Sequence, residues 1–157
     1  MAPERWALLR PACLVLLSLT VSACATSGLP RQRRDLGKAI AKTAEEQTGA
    51  AYRLGGSAPE KGFDCSGLTS WTHQRHGIRI PRTSRQQFKR GRKVSPRDLA
   101  PGDLLFFTTD KRGPSHVGIY LGDGRFVHAP SSGKGVRTDR LTAPYWKKRF
   151  LGARRFY

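Results

Sequence analysis

The sequence predicts an α+β domain in which helices come first and an antiparallel sheet follows. Apolar residues at helical spacing over 35–47 and a polar capping residue in front of Cys65 indicate the helical part. The apolar run 104–107 and two strand-like segments, 116–121 and 125–129, indicate the sheet. The domain is predicted to cover the remaining chain from residue 35 to residue 157, which is enough for one hydrophobic core.

The individual elements follow in chain order. The first helix ends near Gly49 and buries one apolar stripe, made by residues 36, 39, 40 and 44. A second helix begins at Cys65, because the side chain of Asp64 can accept the free amide hydrogens of its first turn. A short helix is predicted within 81–88, capped at Thr83 or Ser84, and a turn at 101–103 leads into the buried strand.

Residues 1–23 are typical of a bacterial secretory signal. Arg5 and Arg10 form a basic start, and the apolar core at 13–21 is too short to span a bilayer permanently. The core ends in Ser-Ala-Cys at 22–24, which resembles a lipobox, so we predict that the chain is cut before Cys24 and lipidated there. A plain signal peptide with an incidental Cys24 is the alternative.

Lipid on Cys24, diacylglycerol and an N-acyl chain such as palmitate, would anchor the protein stably to a membrane. Ala25 follows the cysteine in place of aspartate, and by analogy with enterobacterial sorting this predicts the inner leaflet of the outer membrane, facing the periplasm. Residues 24–34 would then be a polar, basic tether that reaches at most about 40 Å.

The chain is strongly basic, with 29 lysines and arginines against 11 acidic residues and a formal charge of +18. The signal carries two arginines and one glutamate, so the mature part keeps 18 − 1 = +17. This charge favours an anionic partner. For an exported lipoprotein that partner is cell-wall glycopeptide or anionic lipid head groups, and not nucleic acid. A solvated face that only sets solubility is the alternative, and we expect a monomer.

Cys65 is the candidate nucleophile. Cys13 leaves with the signal and Cys24 is consumed by lipid, so Cys65 remains in an oxidising compartment without an intramolecular partner. The positive end of the helix dipole favours its thiolate, whereas the carboxylate of Asp64 opposes it, so a second cation is needed nearby. The alternative is an ordinary buried cysteine.

Four histidines are available to Cys65. His73 and His76 lie roughly 12 and 16 Å along the same helix, too far to take its proton, and are expected at the surface. His116 and His128 begin and end a hairpin, where they fit a base and an orienting group. A zinc site of Cys65 with these two histidines is the rival. Because the spacing lacks a metal-ligand pattern, we predict no metal, and the chemistry needs no cofactor.

The hairpin register decides whether the two histidines meet. A two-residue turn at Asp123-Gly124 would put them on opposite sheet faces. A three-residue loop, 122–124, pairs Gly118 with His128 and makes His116 a diagonal neighbour of His128, roughly 7 to 8 Å away. Turn statistics favour the first form, but the catalytic assignment requires the second, which we therefore predict.

Four segments together resemble the NlpC-type family of papain-like cell-wall peptidases: 63–68, 102–107, 116–122 and 126–129. The resemblance covers essentially the whole mature domain. It implies a papain-like fold and hydrolysis of peptidoglycan stem peptides or cross-links, with Cys65 as nucleophile, His116 as base and His128 orienting it. The C-terminal segment is similar to the end of an enterobacterial lipoprotein of that family, which favours the D-Ala–diaminopimelate bond over γ-D-Glu–diaminopimelate.

Four further residues are candidate substrate contacts. Tyr52 matches a tyrosine that lines the family's site, while Leu54 stands where the family often has an aromatic residue. Asp64 and Ser66 flank the nucleophile, with helix capping as the alternative role of Asp64. Arg82 is placed to bind a stem-peptide carboxylate as a bidentate fork, or it is a plain surface arginine. A related cysteine amidase or acyltransferase, and a catalytically idle wall-binding lipoprotein, remain alternatives.

Overall fold

The structure is a computed structural model that describes residues 29–131 and 135–157. The signal sequence and Cys24 lie outside the described residues. Within these described residues the α-helices are α1 (Arg31–Glu45), α2 (Cys65–Arg75), α3 (Ser84–Arg90) and α4 (Pro144–Arg149). The strands in the same part of the chain are β1 (Ser57–Ala58), β2 (Gly62–Phe63), β3 (Arg92–Val94), β4 (Leu104–Phe107), β5 (His116–Gly122), β6 (Arg125–His128), β7 (Arg137–Arg140) and β8 (Phe150–Arg155).

Six of the strands form one antiparallel sheet in the order β3-β8-β4-β5-β6-β7. Strands β1 and β2 pair separately just before α2. The predicted α+β class, with helices ahead of an antiparallel sheet, is confirmed. Strands β5, β6 and β7 are neighbours in this sheet, so residues of three successive strands lie side by side.

The first helix begins earlier than predicted. It starts at Arg31, directly after Pro30, so residues 31–34 of the predicted tether form its first turn. Proline fixes the backbone just ahead of the helix, and arginine is a good helix former. The buried stripe of Gly37, Ile40, Ala41 and Ala44 then holds the helix on the sheet.

The core has two parts, one on each side of the sheet. Strand β4 is buried on both faces: Leu104 and Phe106 belong to the part that contains Ile40 of α1 and Leu68 of α2. Leu105 and Phe107 belong to the second part, which Trp146 of α4 covers. The alternation of side chains along a strand explains this division. Because Trp146 belongs to the second part, α4 lies on the sheet face that carries His116 and His128.

A buried ion pair joins Arg155, the last residue of β8, to Asp103, which directly precedes β4. Arg155 donates to both carboxylate oxygens of Asp103, with Nη2 2.6 Å from Oδ2, and the two side chains are 3% and 0% exposed. The hydroxyl of Tyr157 donates to the carbonyl of Pro101. A buried pair of this kind fixes the two side chains relative to each other, because either charge left unpaired in the core would be costly. Within the described parts of the chain, no helix has the length and apolar character needed to cross a membrane.

Candidate active site

Cys65 is the first residue of α2, at the end where backbone amides are free. The predicted cap is confirmed, because Oδ1 of Asp64 accepts the amide hydrogen of Gly67 at 2.6 Å. Gly67 also permits a close approach: a Cβ there would lie 1.9 Å from the carbonyl oxygen of Gly56. The start of α2 is therefore fixed against the preceding glycine loop. Cys65 is partly buried, and it forms no disulfide with any residue that the structure describes.

The hairpin has the register that the histidines require. Tyr120 pairs with Phe126 and Ile119 with Val127, which places Gly118 opposite His128. A Cβ on Gly118 would lie 3.1 Å from that of His128. The imidazoles of His116 and His128 meet, with Nε2 of His116 2.8 Å from Nδ1 of His128.

The loop at the hairpin tip differs from the prediction. Gly122 pairs with Arg125 across a two-residue turn in which Asp123 and Gly124 have φ of 49° and 70°. The pairing then shifts between Tyr120 and Gly122, so one extra residue is accommodated on β5. The prediction of a three-residue loop at 122–124 is therefore wrong. The favoured short turn forms at the tip, and a bulge restores the predicted register beyond it.

A third residue, Asp139 of β7, extends the pair of histidines. Its Oδ2 lies 3.0 Å from Nε2 of His128. Burial alone would raise the pKa of Asp139, but the hydrogen bond from Trp146 and the neighbouring His128 outweigh it and lower the pKa. Asp139 is therefore an ionised acceptor, so Nε2 of His128 carries its hydrogen.

The tautomers of both histidines follow from this contact. Burial lowers the pKa of His128 to about 4, even though Asp139 acts to raise it, so the ring is neutral at neutral pH. With hydrogen on Nε2, its Nδ1 is the acceptor, and Nε2 of His116 must donate to it. His116 is left with a free lone pair on Nδ1. Both ring nitrogens of His128 are in use, so it has none to offer the rival zinc site.

Trp146 holds this arrangement from the side. Its indole Nε1 donates to Oδ2 of Asp139 at 2.9 Å. Its ring also stacks on His116, with centroids 5.5 Å apart and an angle of 24° between the planes. Asp139 and Trp146 were not predicted as site residues. Strand β7 reads Arg-Thr-Asp-Arg and has no apolar alternation, and the one available signal was an isolated acidic residue in a basic stretch.

Burial dominates the protonation of both groups that would react. It raises the pKa of the Cys65 thiol to about 11, with a backbone hydrogen bond from Val117 acting the other way and Asp64 adding to the rise. Burial, and secondly the charge of His128, lowers the pKa of His116 to about 3. At neutral pH the site holds a thiol and a neutral imidazole. The effect of the helix dipole is outweighed.

We expect the thiolate of Cys65 to appear only in alkaline solution. A raised thiol pKa means that the group ionises at higher pH than a free cysteine, so its thiolate is negligible at neutral pH and grows towards pH 11. The ultraviolet absorbance of the thiolate, measured as the difference between wild type and Cys65→Ser over a pH titration, checks this. The difference removes any contribution of Cys13 and Cys24. A thiolate signal at neutral pH would instead indicate a preformed ion pair with His116.

Asp64, Ser66 and Arg82 form one hydrogen-bonded group beside the nucleophile. Arg82 donates to both carboxylate oxygens of Asp64, at 2.9 and 2.7 Å, to the hydroxyl of Ser66 at 3.0 Å and to the carbonyl of Gly56 at 3.2 Å. Burial would raise the pKa of Asp64, but the hydrogen bonds from Arg82 and Gly67 lower it. Both terminal nitrogens of Arg82 are thus engaged inside the protein. Its substrate contact stays a prediction, and only Nε–H is free for it.

The predicted residues come together around one cleft of about 380 Å³. Tyr52, Asp64, Cys65, Ser66 and His116 line it, whereas Arg82 does not. Burial raises the pKa of the Tyr52 phenol, with the Cys65 charge as the second cause, so its hydroxyl keeps its hydrogen. The cleft therefore brings a thiol, an imidazole and a phenolic donor to one place.

The other two histidines lie outside this cleft. His76 is half-buried and hydrogen-bonds the hydroxyl of Thr43 at 2.9 Å. His73 was expected at the surface, and this is wrong, because its side chain is fully buried. Its Nδ1 lies 2.8 Å from the carbonyl oxygen of Thr69, and its ring packs edge-on against Phe156. The contact with Phe156, which follows β8 at the C-terminal end of the chain, is long-range and accounts for the difference.

Residues 49–155 match the NlpC/P60 family. A gamma-DL-glutamyl hydrolase of Bacillus subtilis is 45% identical over 119 residues, which are 74% of this chain and 29% of that protein. A murein DD-endopeptidase and LD-carboxypeptidase of Escherichia coli, MepS, is 45% identical over 108 residues, which are 68% of this chain and 56% of that protein.

A solved structure of the same family is also similar to this chain. A crystal structure of an NlpC/P60 family protein from Bacillus cereus is 36% identical and superimposes with a TM-score of 0.70, covering 76% of this chain and 40% of that one. The chain spans less than two thirds of the length of these relatives. The predicted papain-like fold and the resemblance to the NlpC-type family are confirmed. The chain belongs to the NlpC/P60 family.

Proposed function

We propose that this protein is a cysteine peptidase that hydrolyses peptide bonds of bacterial cell-wall peptidoglycan. The observation that carries the proposal is the line of contacts from His116 through His128 to Asp139, because His116 lines the same cleft as Cys65. It leaves one unprotonated imidazole nitrogen in a cleft with one thiol, which is the arrangement that acyl transfer needs. The relative named as a murein endopeptidase and carboxypeptidase supports the substrate class.

The proposed reaction has two steps, which follow from the protonation states. The sulfur of Cys65 attacks the peptide carbonyl and forms a C–S bond, while the thiol proton moves to Nδ1 of His116. The tetrahedral intermediate then breaks its C–N bond, and the leaving nitrogen takes that proton from His116. Water next gives a proton to Nδ1 of His116 and attacks the thioester carbonyl. The C–S bond then breaks, the acid product leaves, and the sulfur of Cys65 takes the proton back from His116.

The oxyanion of the tetrahedral intermediate needs hydrogen-bond donors that are already in place. The backbone amide of Cys65 at the start of α2 is one candidate, because the first amides of a helix lack intrahelical partners. The hydroxyl of Tyr52 is the second candidate, since Tyr52 lines the same cleft and keeps its hydrogen. Asp64 and Ser66 also line the cleft and complete the proposed substrate-binding set.

We favour the D-Ala–diaminopimelate cross-link over the γ-D-Glu–diaminopimelate bond, on the similarity to MepS. A purified cross-linked tetrapeptide dimer that contains both bonds tests this directly. Mass spectrometry should show tetrapeptide monomers with wild type and unchanged dimer with Cys65→Ala. Fragments ending in γ-D-Glu would instead assign the protein to the same bond class as γ-glutamyl hydrolases.

We also propose that Cys24 carries the lipid that anchors the protein in the envelope, on the strength of the Ser-Ala-Cys ending of the signal. Cys24→Ser should move the protein from the membrane to the soluble fraction after washing in high salt. The salt is needed because a mature charge of 18 − 1 = +17 can itself hold the protein on anionic lipid. Membrane association that survives the substitution and the wash would place the anchor elsewhere.

A further inference from the structure

A second cleft, of about 500 Å³, also borders His116. It runs between β7 and α4 and is lined by Arg137, Arg140, Ala143, Tyr145 and Trp146. His116 lines this cleft as well as the cleft that contains Cys65. The two clefts therefore meet at the imidazole that the proposed mechanism uses twice.

We propose that the second cleft binds the leaving-amine half of the substrate, and that Arg137 and Arg140 bind a free carboxylate there. This proposal rests on the proposed function. His116 must first accept a proton from Cys65 and then deliver it to the leaving nitrogen. The acyl half stays with Cys65 in the first cleft, so the chain beyond the leaving nitrogen extends past the imidazole into the second.

The charges in the second cleft fit an anion. Arg137 and Arg140 supply two positive charges, against the single negative charge of Asp139. That carboxylate already accepts from His128 and Trp146, at 3.0 and 2.9 Å. Arg137 approaches it only at 3.4 Å, and its side chain is 37% exposed, so its guanidinium has donors left for a ligand. Arginine is well suited to hold a carboxylate through two parallel hydrogen bonds.

The apolar walls of the second cleft indicate which kind of substrate group bears the carboxylate. Ala143, Trp146 and the half-exposed ring of Tyr145 give the cleft an apolar side. A short aliphatic chain packs on such a side while its carboxylate reaches the arginines. A diamino dicarboxylic acid has both parts. In a D-Ala–diaminopimelate cross-link, the carbon that bears the leaving nitrogen also bears a free carboxylate, so this subsite suits that bond.

Two matched substrates test the subsite: a cross-linked peptide with the free carboxylate next to the leaving nitrogen, and the same peptide with that group converted to a primary amide. Wild type should cleave the carboxylate form with a kcat/KM about tenfold higher, mainly through KM. Arg137→Gln and Arg140→Gln should each reduce this preference. Arg75→Gln, an exposed arginine at the end of α2, is the control and should keep it.

The preference is a ratio within one variant, so any loss of activity caused by Arg137 acting through Asp139 cancels. Equal cleavage of the two substrates by wild type would overturn the subsite and leave the proposed function intact. A preference that both arginine variants retain in full would also overturn it. Cleavage of neither substrate by wild type would contradict the proposed function itself, and the subsite with it.

Discussion

Asp139→Asn is expected to lower kcat by about two to four orders of magnitude while KM changes little. An amide nitrogen at the position of Oδ2 can donate to Nε2 of His128, which a carboxylate cannot, and the hydrogen bond that Trp146 donates to Oδ2 is then lost. His128 would then carry its hydrogen on Nδ1 and donate it to Nε2 of His116, because these atoms are 2.8 Å apart. The remaining hydrogen of His116 would sit on Nδ1, and the nitrogen that must take the thiol proton would be blocked.

Steady-state kinetics on the cross-linked peptide, with the melting temperature of each variant, checks this prediction. Asp123→Asn is the matched control, because it makes the same chemical change in an exposed turn where asparagine tolerates a positive φ. A kcat within a few-fold of wild type would show that Asp139 does not set the tautomer. A loss carried by KM or by unfolding would point to a structural role alone.

His116→Ala is expected to lower kcat by about two to four orders of magnitude, which is the usual contribution of a general base. The reason is the neutral thiol: with a pKa of about 11, Cys65 attacks readily only if its proton is removed in the same step. Without the imidazole, the remaining activity should rise steadily with pH as the thiolate forms. The measurement is kcat/KM across neutral to alkaline pH.

His76→Ala serves as the control, because His76 contacts Thr43 outside the cleft. Its kinetics should match those of wild type at every pH. A His116→Ala protein that keeps more than about a tenth of wild-type activity, with an unchanged pH profile, would contradict the role of His116 as base. The base would then have to come from another residue of the cleft, or the thiol would have to be ionised already.

Features that depend on neighbouring residues could be predicted from the sequence. The cap at Asp64, the start of α2 at Cys65 and the buried strand β4 follow from local propensity and pattern, and the structure has all three. The register of the hairpin was predicted from what the histidines need. The bulge that produces it was not, because a bulge depends on how both strands pack in the sheet.

Features that depend on distant parts of the chain could not be predicted. Asp139 and Trp146 reach His116 and His128 only because β7 pairs with β6 and α4 folds over the same face. Arg82 looks like an available fork in the sequence, since nothing local shows that Asp64 and Ser66 already engage it. Pairings across the sheet and between loops are set by tertiary packing, which a single sequence does not display.

We propose that Cys65 is the nucleophile of a cell-wall hydrolase. The most direct measurement is the release of soluble fragments from purified peptidoglycan sacculi by wild type and by Cys65→Ala, identified by mass spectrometry. The two proteins should have similar melting temperatures, since one partly buried side chain is shortened without a charge being stranded. We expect wild type to release peptide-cleaved fragments and Cys65→Ala to release none above the no-enzyme background. Identical fragment profiles from the two proteins would contradict the claim and leave a wall-binding protein without this chemistry.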